Sequence, residues 1–74
     1  MNINKLRQER VRRGWSQQTL GFHAGVGASE ISRFEHGRAI PYQGQAERLA
    51  KVLHLRPDEL QEPADSTQTV EAVG

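Results

Sequence analysis

The stretch SQQTLGFHAGVGASEISRFEHG, residues 16–37, decides the fold of this chain. In its first half, the apolar residues Leu20 and Ala24 lie four positions apart, as on one face of a helix. Ser16 precedes them and is a residue type that caps helix N-termini. This part of the stretch predicts a short helix over about residues 16–23.

The second half of the stretch predicts another short helix after a tight turn. Gly25 can adopt the positive φ that such a turn requires. Beyond it, Ile31 and Phe34 lie on one helical face, opposite a face of mostly short polar side chains, which predicts a helix over about residues 28–35. The decisive stretch is therefore two helices of about two turns joined by a glycine-containing turn, an arrangement typical of helix-turn-helix units.

The flanking sequence predicts further helices around this pair. Helical spacing indicates a first helix over about residues 3–13, and an i, i+3, i+4, i+7 apolar stripe indicates a fourth over about 42–53. The run Pro57-Asp58-Glu59-Leu60 resembles the acidic first turn of a brief fifth helix. We expect one compact all-α domain of five helices over residues 1–62 and a flexible tail over residues 63–74, where periodicity and apolar content are too low for packing.

Length and composition exclude several classes of protein. At 74 residues the chain buries too little surface for a large catalytic cavity, so we do not expect an enzyme. It has no cysteine, which excludes disulfides and thiolate zinc sites and makes a reducing cytoplasm the default location. No segment is apolar enough for a membrane helix. His23, His36 and His54 lack zinc-ligand spacing, so neither a metal nor another cofactor is expected.

Charge is divided unevenly along the chain. Residues 1–38 contain seven Lys and Arg against three Glu, whereas residues 39–74 contain three against six acidic residues. A basic first half suits a protein that turns one side toward a polyanion such as DNA.

Residues 16–37 resemble the signature of the Cro/C1-type (XRE) helix-turn-helix family, which reads approximately SQ-x-x-LA-x-x-x-GVS-x-x-x-IS-x-x-E-x-G. Nine positions agree at fixed spacing, and the similarity extends from about Leu6 to Leu60. The matching residues are Ser16, Gln17, Leu20, Gly25, Val26, Ile31, Ser32, Glu35 and Gly37. The resemblance implies a lambda-repressor-like DNA-binding domain.

The chain departs from the family pattern at several positions. Gly21 stands where the family usually has Ala, which lets the two helices approach closely, and Gly costs about 1 kcal/mol in helix propensity. Gly27 replaces the usual Ser or Thr N-cap, although Gly is an acceptable cap and Glu30 can complement the helix terminus. His54 stands where Gly or Asn is usual. Gln43 and Ala46 occupy positions that are usually larger and apolar.

The resemblance also implies roles for individual residues. The base-reading or phosphate-contacting positions correspond to Gln17, Gln18, Ala28, Ser29, Glu30, Ser32, Arg33, His36 and Arg38. Arg33 is the best base reader, since its guanidinium can bind guanine O6 and N7 together. Arg38 is expected at a phosphate. Arg10 and Glu35 resemble an internal ion pair of the family, a structural role.

Simpler interpretations stay open for some of these residues. Gln17 could be a solvated first-turn residue, and Arg33 could form an i, i+3 pair with Glu30 worth only about 0.2–0.5 kcal/mol. Glu30 could accept from cytosine N4, but stabilising the helix N-terminus is its favoured role. For Arg7, Arg12 and Arg13, solvation of the first helix is favoured over phosphate contact.

The expected function is a DNA-binding transcriptional regulator, a repressor in the commonest case, that controls its own gene as small regulators often do. It would bind a near-palindromic operator in double-stranded DNA as a homodimer, with its third helix in the major groove. Restriction-modification controllers and DNA-binding antitoxins are alternatives within the family, and a protein partner such as a toxin or a polymerase stays open. A protein-interaction module that does not bind DNA is the alternative from another class.

Overall fold

The computed structural model describes residues 3–64, which form four α-helices and one 3-10 turn. The α-helices are α1 (Lys5–Arg12), α2 (Gln17–Ala24), α3 (Ala28–Glu35) and α4 (Gln43–Leu53), and the 3-10 turn is Pro57–Glu59. Within this range the only extended pairing is an isolated bridge between Asn4 and Pro63. The all-α prediction is confirmed for the described part of the chain. Residues 65–74, most of the predicted tail, lie outside it.

The prediction of a fifth α-helix is wrong, because Pro57–Glu59 forms only a single 3-10 turn. Its backbone hydrogen bond runs from Glu59 N to Arg56 O, three residues earlier, at 3.0 Å. The next carbonyl groups are used elsewhere: Leu60 O accepts from Leu6 N and Glu62 O accepts from Lys5 N, each at 2.9 Å. Pairing with the start of α1 therefore replaces continuation of a helix.

Local capping fixes the bounds of α1 and α2. Asn4 Oδ1 accepts from Arg7 N at 3.0 Å, so α1 begins after Asn4 and not at residue 3. Ser16 Oγ accepts from Thr19 N at 3.0 Å, the N-cap bond that the sequence predicted for α2. At the other end of α2, Gly25 has φ 68°, a left-handed conformation that suits glycine.

The turn between α2 and α3 is held by close backbone contact. Val26 N donates to Gly21 O at 3.0 Å. A Cβ atom on Gly21 would lie 2.3 Å from Val26 O, so the turn approaches α2 more closely than an alanine at this position allows. Arg48 of α4 supports the same corner, where its Nε donates to Ala24 O at 2.9 Å. Gly21 thereby lets the chain fold tightly from α2 into α3.

The core lies between α2 and α3 on one side and α1, α4 and the segment after the 3-10 turn on the other. Its largest fully buried side chains come from all of these elements: Leu6, Leu20, Ile31, Leu49, Leu53 and Leu60. None of the helices in residues 3–64 combines the length and apolar character that crossing a membrane requires. Burial of one face of α3 against this core leaves the opposite face at the surface.

The two ends of the described chain meet beside α3. Ala64 N donates to Ile3 O at 2.8 Å, next to the bridge between Asn4 and Pro63. The side chain of Asn4 reaches the carbonyl groups of Phe34 and Glu35. Both ends therefore contact the C-terminal end of α3.

Candidate nucleic-acid interface

The outward face of α3 carries the residues expected to read bases. Ser29 and Arg33 are exposed and lie four positions apart, while Ala28 and Ser32 are half-buried beside them. On the opposite face, Ile31 is 0% exposed and anchors the helix in the core. Short side chains thus surround a single long cationic one on the face that points away from the protein.

Glu30, although expected near DNA, is engaged within the protein. Its Oε1 accepts from Gly27 N at 3.3 Å and its Oε2 accepts from Gln45 Nε2 at 3.1 Å. Across residues 3–64, no carboxylate lies within ion-pair distance of Arg33. The Glu30 side chain therefore links the N-terminus of α3 to Gln45 of α4. The Arg33–Glu30 pair considered from the sequence is absent from residues 3–64.

Glu35, the other carboxylate of α3, is neutralised internally by Arg10. Arg10 Nε donates to Glu35 Oε2 at 2.6 Å and Arg10 Nη2 donates to Oε1 at 3.0 Å, a bidentate arrangement. The Glu35 side chain is 1% exposed. Arg10 Nη1 also donates to Trp15 O at 2.7 Å, which links α1 to the chain entering α2. This pair places no negative charge on the outward surface of α3.

The two glutamines at the start of α2 differ in environment. Gln17 is half-buried and its Nε2 donates to Glu35 Oε1 at 3.2 Å, whereas Gln18 is exposed. Gln17 is therefore part of the Arg10–Glu35 network in this structure. Its amide still borders the N-terminus of α2, where backbone N–H groups favour an anion.

The loop after α3 presents a second group of candidate residues. His36 and Arg38 are both exposed, and Arg38 N donates to Arg33 O at 2.8 Å, which turns the chain immediately after the helix. His36 Nδ1 lies 2.7 Å from Ser32 O. If Nδ1 carries the proton of that bond, Nε2 can donate to a phosphate only in the charged ring. Like Arg33, Arg38 has no ion-pair partner in the described part of the chain.

Most basic residues in and directly after α1 are paired with carboxylates, unlike Arg33 and Arg38; Arg7 is the exception in this segment. Arg12 Nη1 and Arg13 Nη1 contact the two oxygens of Glu9 at 3.1 Å and 2.8 Å. Each of these two pairs joins residues within about one helical turn. Within residues 3–64 four arginines have no carboxylate partner: Arg7, Arg48, and the two at the site, Arg33 and Arg38.

The histidines are dispersed and have separate roles. His23 stacks on Trp15 with ring centroids 4.6 Å apart, and His54 ends α4 with φ 59°. Residues 3–64 contain no group of three or more side chains placed to hold a metal ion.

Comparison with known protein families is informative for most of the chain. The model of the family described as "Helix-turn-helix domain" matches residues 4–62. This chain belongs to the helix-turn-helix domain family. No curated protein and no solved structure matched the chain. The family match agrees with the resemblance to Cro/C1-type regulators, and because helix-turn-helix domains dock a helix in the DNA major groove, it indicates DNA binding.

The helix-turn-helix domain also contains residues around the site that the sequence did not single out. Asn4 and Gln61 each donate a side-chain amide to Phe34 O at 3.0 Å, and Gln45 reaches Glu30. These contacts join residues 15 or more positions apart, so helical periodicity contains no signal for them. The only local cue was the residue type of Asn4, which is common at helix N-caps.

Proposed function

We propose that this helix-turn-helix protein is a sequence-specific transcriptional regulator, a repressor that acts on its own promoter. The observation that carries the proposal is the charge arrangement at α3. Both carboxylates of the helix have internal partners, whereas Arg33 on its outward face and Arg38 directly after it have none among residues 3–64. Such a surface attracts the phosphate backbone and leaves Arg33 free to bind a base edge.

In this proposal the contacts have different tasks. Ala28, Ser29 and Ser32 allow α3 to sit deep in the major groove, while Arg33 binds guanine through its two-pronged guanidinium. Gln18, His36 and Arg38 contact the backbone at the two ends of the helix-turn-helix unit. Gln17 supports the site through Glu35 and lies at the α2 N-terminus, where it can also approach a phosphate.

We further propose that two copies bind one operator. One α3 helix offers few base contacts, and pairing two half-sites about 34 Å apart raises affinity without new chemistry at either site. Exposed apolar side chains support self-association: Phe22 is 85% exposed, Ile40 82% and Tyr42 78%. For a protein that acts on a promoter in this way, we propose a cytoplasmic location.

The same exposed side chains favour a second candidate function, the binding of another protein. Phe22 lies on α2, and an exposed aromatic side chain is a common anchor in protein interfaces. An antitoxin would combine this contact with DNA binding, whereas a restriction-modification controller would not need it. A pure interaction module would use the Phe22 face and have no requirement for Arg33 or Arg38.

Binding titrations test the proposal. A duplex selected from a random-sequence library serves as operator, with a scrambled duplex of equal length as reference. We expect Arg33→Ala to cost about 1–3 kcal/mol on the operator, to relax preference at one base pair per half-site and to change scrambled-DNA binding little. Arg38→Ala should weaken binding to both duplexes about equally. It should also reduce the slope of log affinity against log salt concentration by about one per half-site.

Arg56→Ala is the matched control, because Arg56 is an exposed arginine whose charge is paired with Asp58 and Glu59. It should leave operator binding close to the wild-type value. Sedimentation with and without operator gives the number of subunits bound. If Arg33→Ala and Arg38→Ala both bind the operator like Arg56→Ala, the proposed docking is wrong and the interaction-module function moves ahead.

A further inference from the structure

The side chain of Gln61 joins the last turn of α3 to the loop that follows it. Its Nε2 donates to Phe34 O at 3.0 Å and to Ala39 O at 2.7 Å. A side-chain amide nitrogen has two protons, so both donors of Gln61 are used in these two bonds. One amide thereby fixes the distance between two carbonyl groups that lie on either side of residues 35–38.

A second amide holds the same turn from the other end of the chain. Asn4 is 9% exposed, and its Nδ2 donates to Phe34 O at 3.0 Å and to Glu35 O at 3.2 Å. Backbone bonds between residues 3–6 and 60–64 place Asn4 and Gln61 together at this position. The carbonyl groups at the end of α3 thus have donors from both termini of the described chain.

The four residues enclosed by Gln61 include Arg38, which has no ion-pair partner within residues 3–64. The position of Arg38 depends on its backbone, where Arg38 N donates to Arg33 O at 2.8 Å, and on the carbonyl of the following residue, Ala39. Within residues 3–64 Gln61 is the side chain that holds Ala39 O. Loss of this bond would let the loop sample other conformations, and ordering it again on DNA would weaken binding.

We propose that Gln61 is a positioning residue that holds the loop after α3 so that Arg38 meets the DNA backbone. This inference rests on the proposed function, since it assumes that Arg38 contacts DNA. Gln61 acts through Arg38 and has no contact with the nucleic acid itself. The C-terminal segment of the domain thus contributes to binding although its own residues 56–62 are mostly acidic or apolar.

Gln61→Met is the informative substitution, because methionine has a similar length and lacks the two amide donors. Asn4 is less suitable, since its Oδ1 also caps α1 through Arg7 N at 3.0 Å. Gln8→Met is the matched control: Gln8 is half-buried on α1, and its side chain makes no hydrogen bond within residues 3–64. Urea unfolding followed by Trp15 fluorescence establishes that both variants are folded.

Two measurements test the positioning role. In the free protein, the amide of Arg38 should exchange about tenfold faster in Gln61→Met than in wild type, because local opening of the loop becomes easier, and it should be unchanged in Gln8→Met. On the selected operator, Gln61→Met should lose about fivefold to tenfold in affinity. This is near the lower end of the roughly 4-fold to 100-fold range for two hydrogen bonds that each contribute a factor of about 2 to 10, because Phe34 O keeps Asn4 as a donor.

A double-mutant cycle with Arg38→Ala separates positioning from a general loss of stability. In the Arg38→Ala background, Gln61→Met should change operator affinity by less than about twofold, because the side chain that it positions is absent. An equal loss in both backgrounds would overturn the inference, as would unchanged exchange at Arg38. If wild type binds no duplex from the library, the proposed function itself is wrong. If wild type binds and the cycle shows no coupling, only the role of Gln61 is wrong.

Discussion

Replacement of Arg10 by methionine should destabilise the domain strongly, because it leaves the Glu35 carboxylate buried without its cation. The Glu35 side chain is 1% exposed, and Arg10 supplies two of the three side-chain hydrogen bonds that it accepts. After the substitution only Gln17 Nε2, at 3.2 Å, remains. Trp15 O also loses its donor, Arg10 Nη1.

The expected loss in the free energy of unfolding is about 3–5 kcal/mol, the usual result of removing one partner from a buried ion pair. A domain of this size has roughly 3–9 kcal/mol in total, at 0.05–0.15 kcal/mol per residue. The variant should therefore be close to its unfolding transition at room temperature. With a shift of about 4–8 °C per kcal/mol, its melting temperature should fall by at least about 12 °C.

Urea and thermal unfolding, followed by circular dichroism and by fluorescence of Trp15, measure this loss. Arg12→Met is the matched control, because Arg12 is also an α1 arginine paired with a glutamate, but its side chain is 63% exposed. Arg12→Met should lower the free energy of unfolding by no more than about 1 kcal/mol. The double variant Arg10→Met/Glu35→Leu should be more stable than Arg10→Met, since no unpaired charge stays buried.

The reasoning is refuted if Arg10→Met costs no more than Arg12→Met. That result would mean that water reaches Glu35 and that the pair contributes like a surface ion pair. A double variant less stable than Arg10→Met would likewise contradict the role of the unpaired charge.

Substitutions at three positions test the caps and the turn by thermal unfolding. Ser16→Ala should lower the free energy of unfolding by about 1 kcal/mol, because the α2 N-cap is lost, whereas Ser16→Asp should keep most of the wild-type stability. Equal stability of wild type, Ser16→Ala and Ser16→Asp would contradict the capping role. Gly21→Ala should destabilise by about 1–3 kcal/mol, because the added Cβ would meet Val26 O, at 2.3 Å, and this outweighs about 1 kcal/mol of helix propensity. A more stable Gly21→Ala protein would show that the turn can move away. His54→Gly should raise stability by about 0.5–1 kcal/mol, since His54 has φ 59° and a left-handed conformation is unfavourable for residues other than glycine; a loss would show that the imidazole contributes more than the backbone strain costs.

Most of the fold could be predicted from the sequence because its signals are local. The positions of α2 and α3 follow from apolar spacing, from Ser16 and from Gly25, all within the decisive stretch. The segment after α4 could not be predicted in the same way. Its carbonyl groups pair with Lys5 and Leu6, more than 50 positions away, and no local pattern contains that information.

The candidate site likewise has features that the sequence predicts and contacts that it does not. Exposure of Ser29 and Arg33 follows from the face that Ile31 buries, and the Arg10–Glu35 pair implied by the family resemblance is present. The bonds from Gln17 to Glu35 and from Gln45 to Glu30 depend on how helices pack in space. The family resemblance therefore supplied the candidate side chains of the site, and the structure was needed to tell which of them are already engaged.

The pairing of residues 3–6 with residues 60–64 affects how the protein is made. A chain that leaves the ribosome from its N-terminus presents α1, α2 and α3 well before Gln61 and Ala64 exist, and contacts between distant positions form late in folding. Until then the end of α3 lacks the hydrogen bond from Gln61 Nε2 to Phe34 O, and Asn4, which also donates to Phe34 O, lacks its bridge to Pro63. A nascent chain should therefore hold the end of α3 in its final conformation only after residue 64 has left the ribosome.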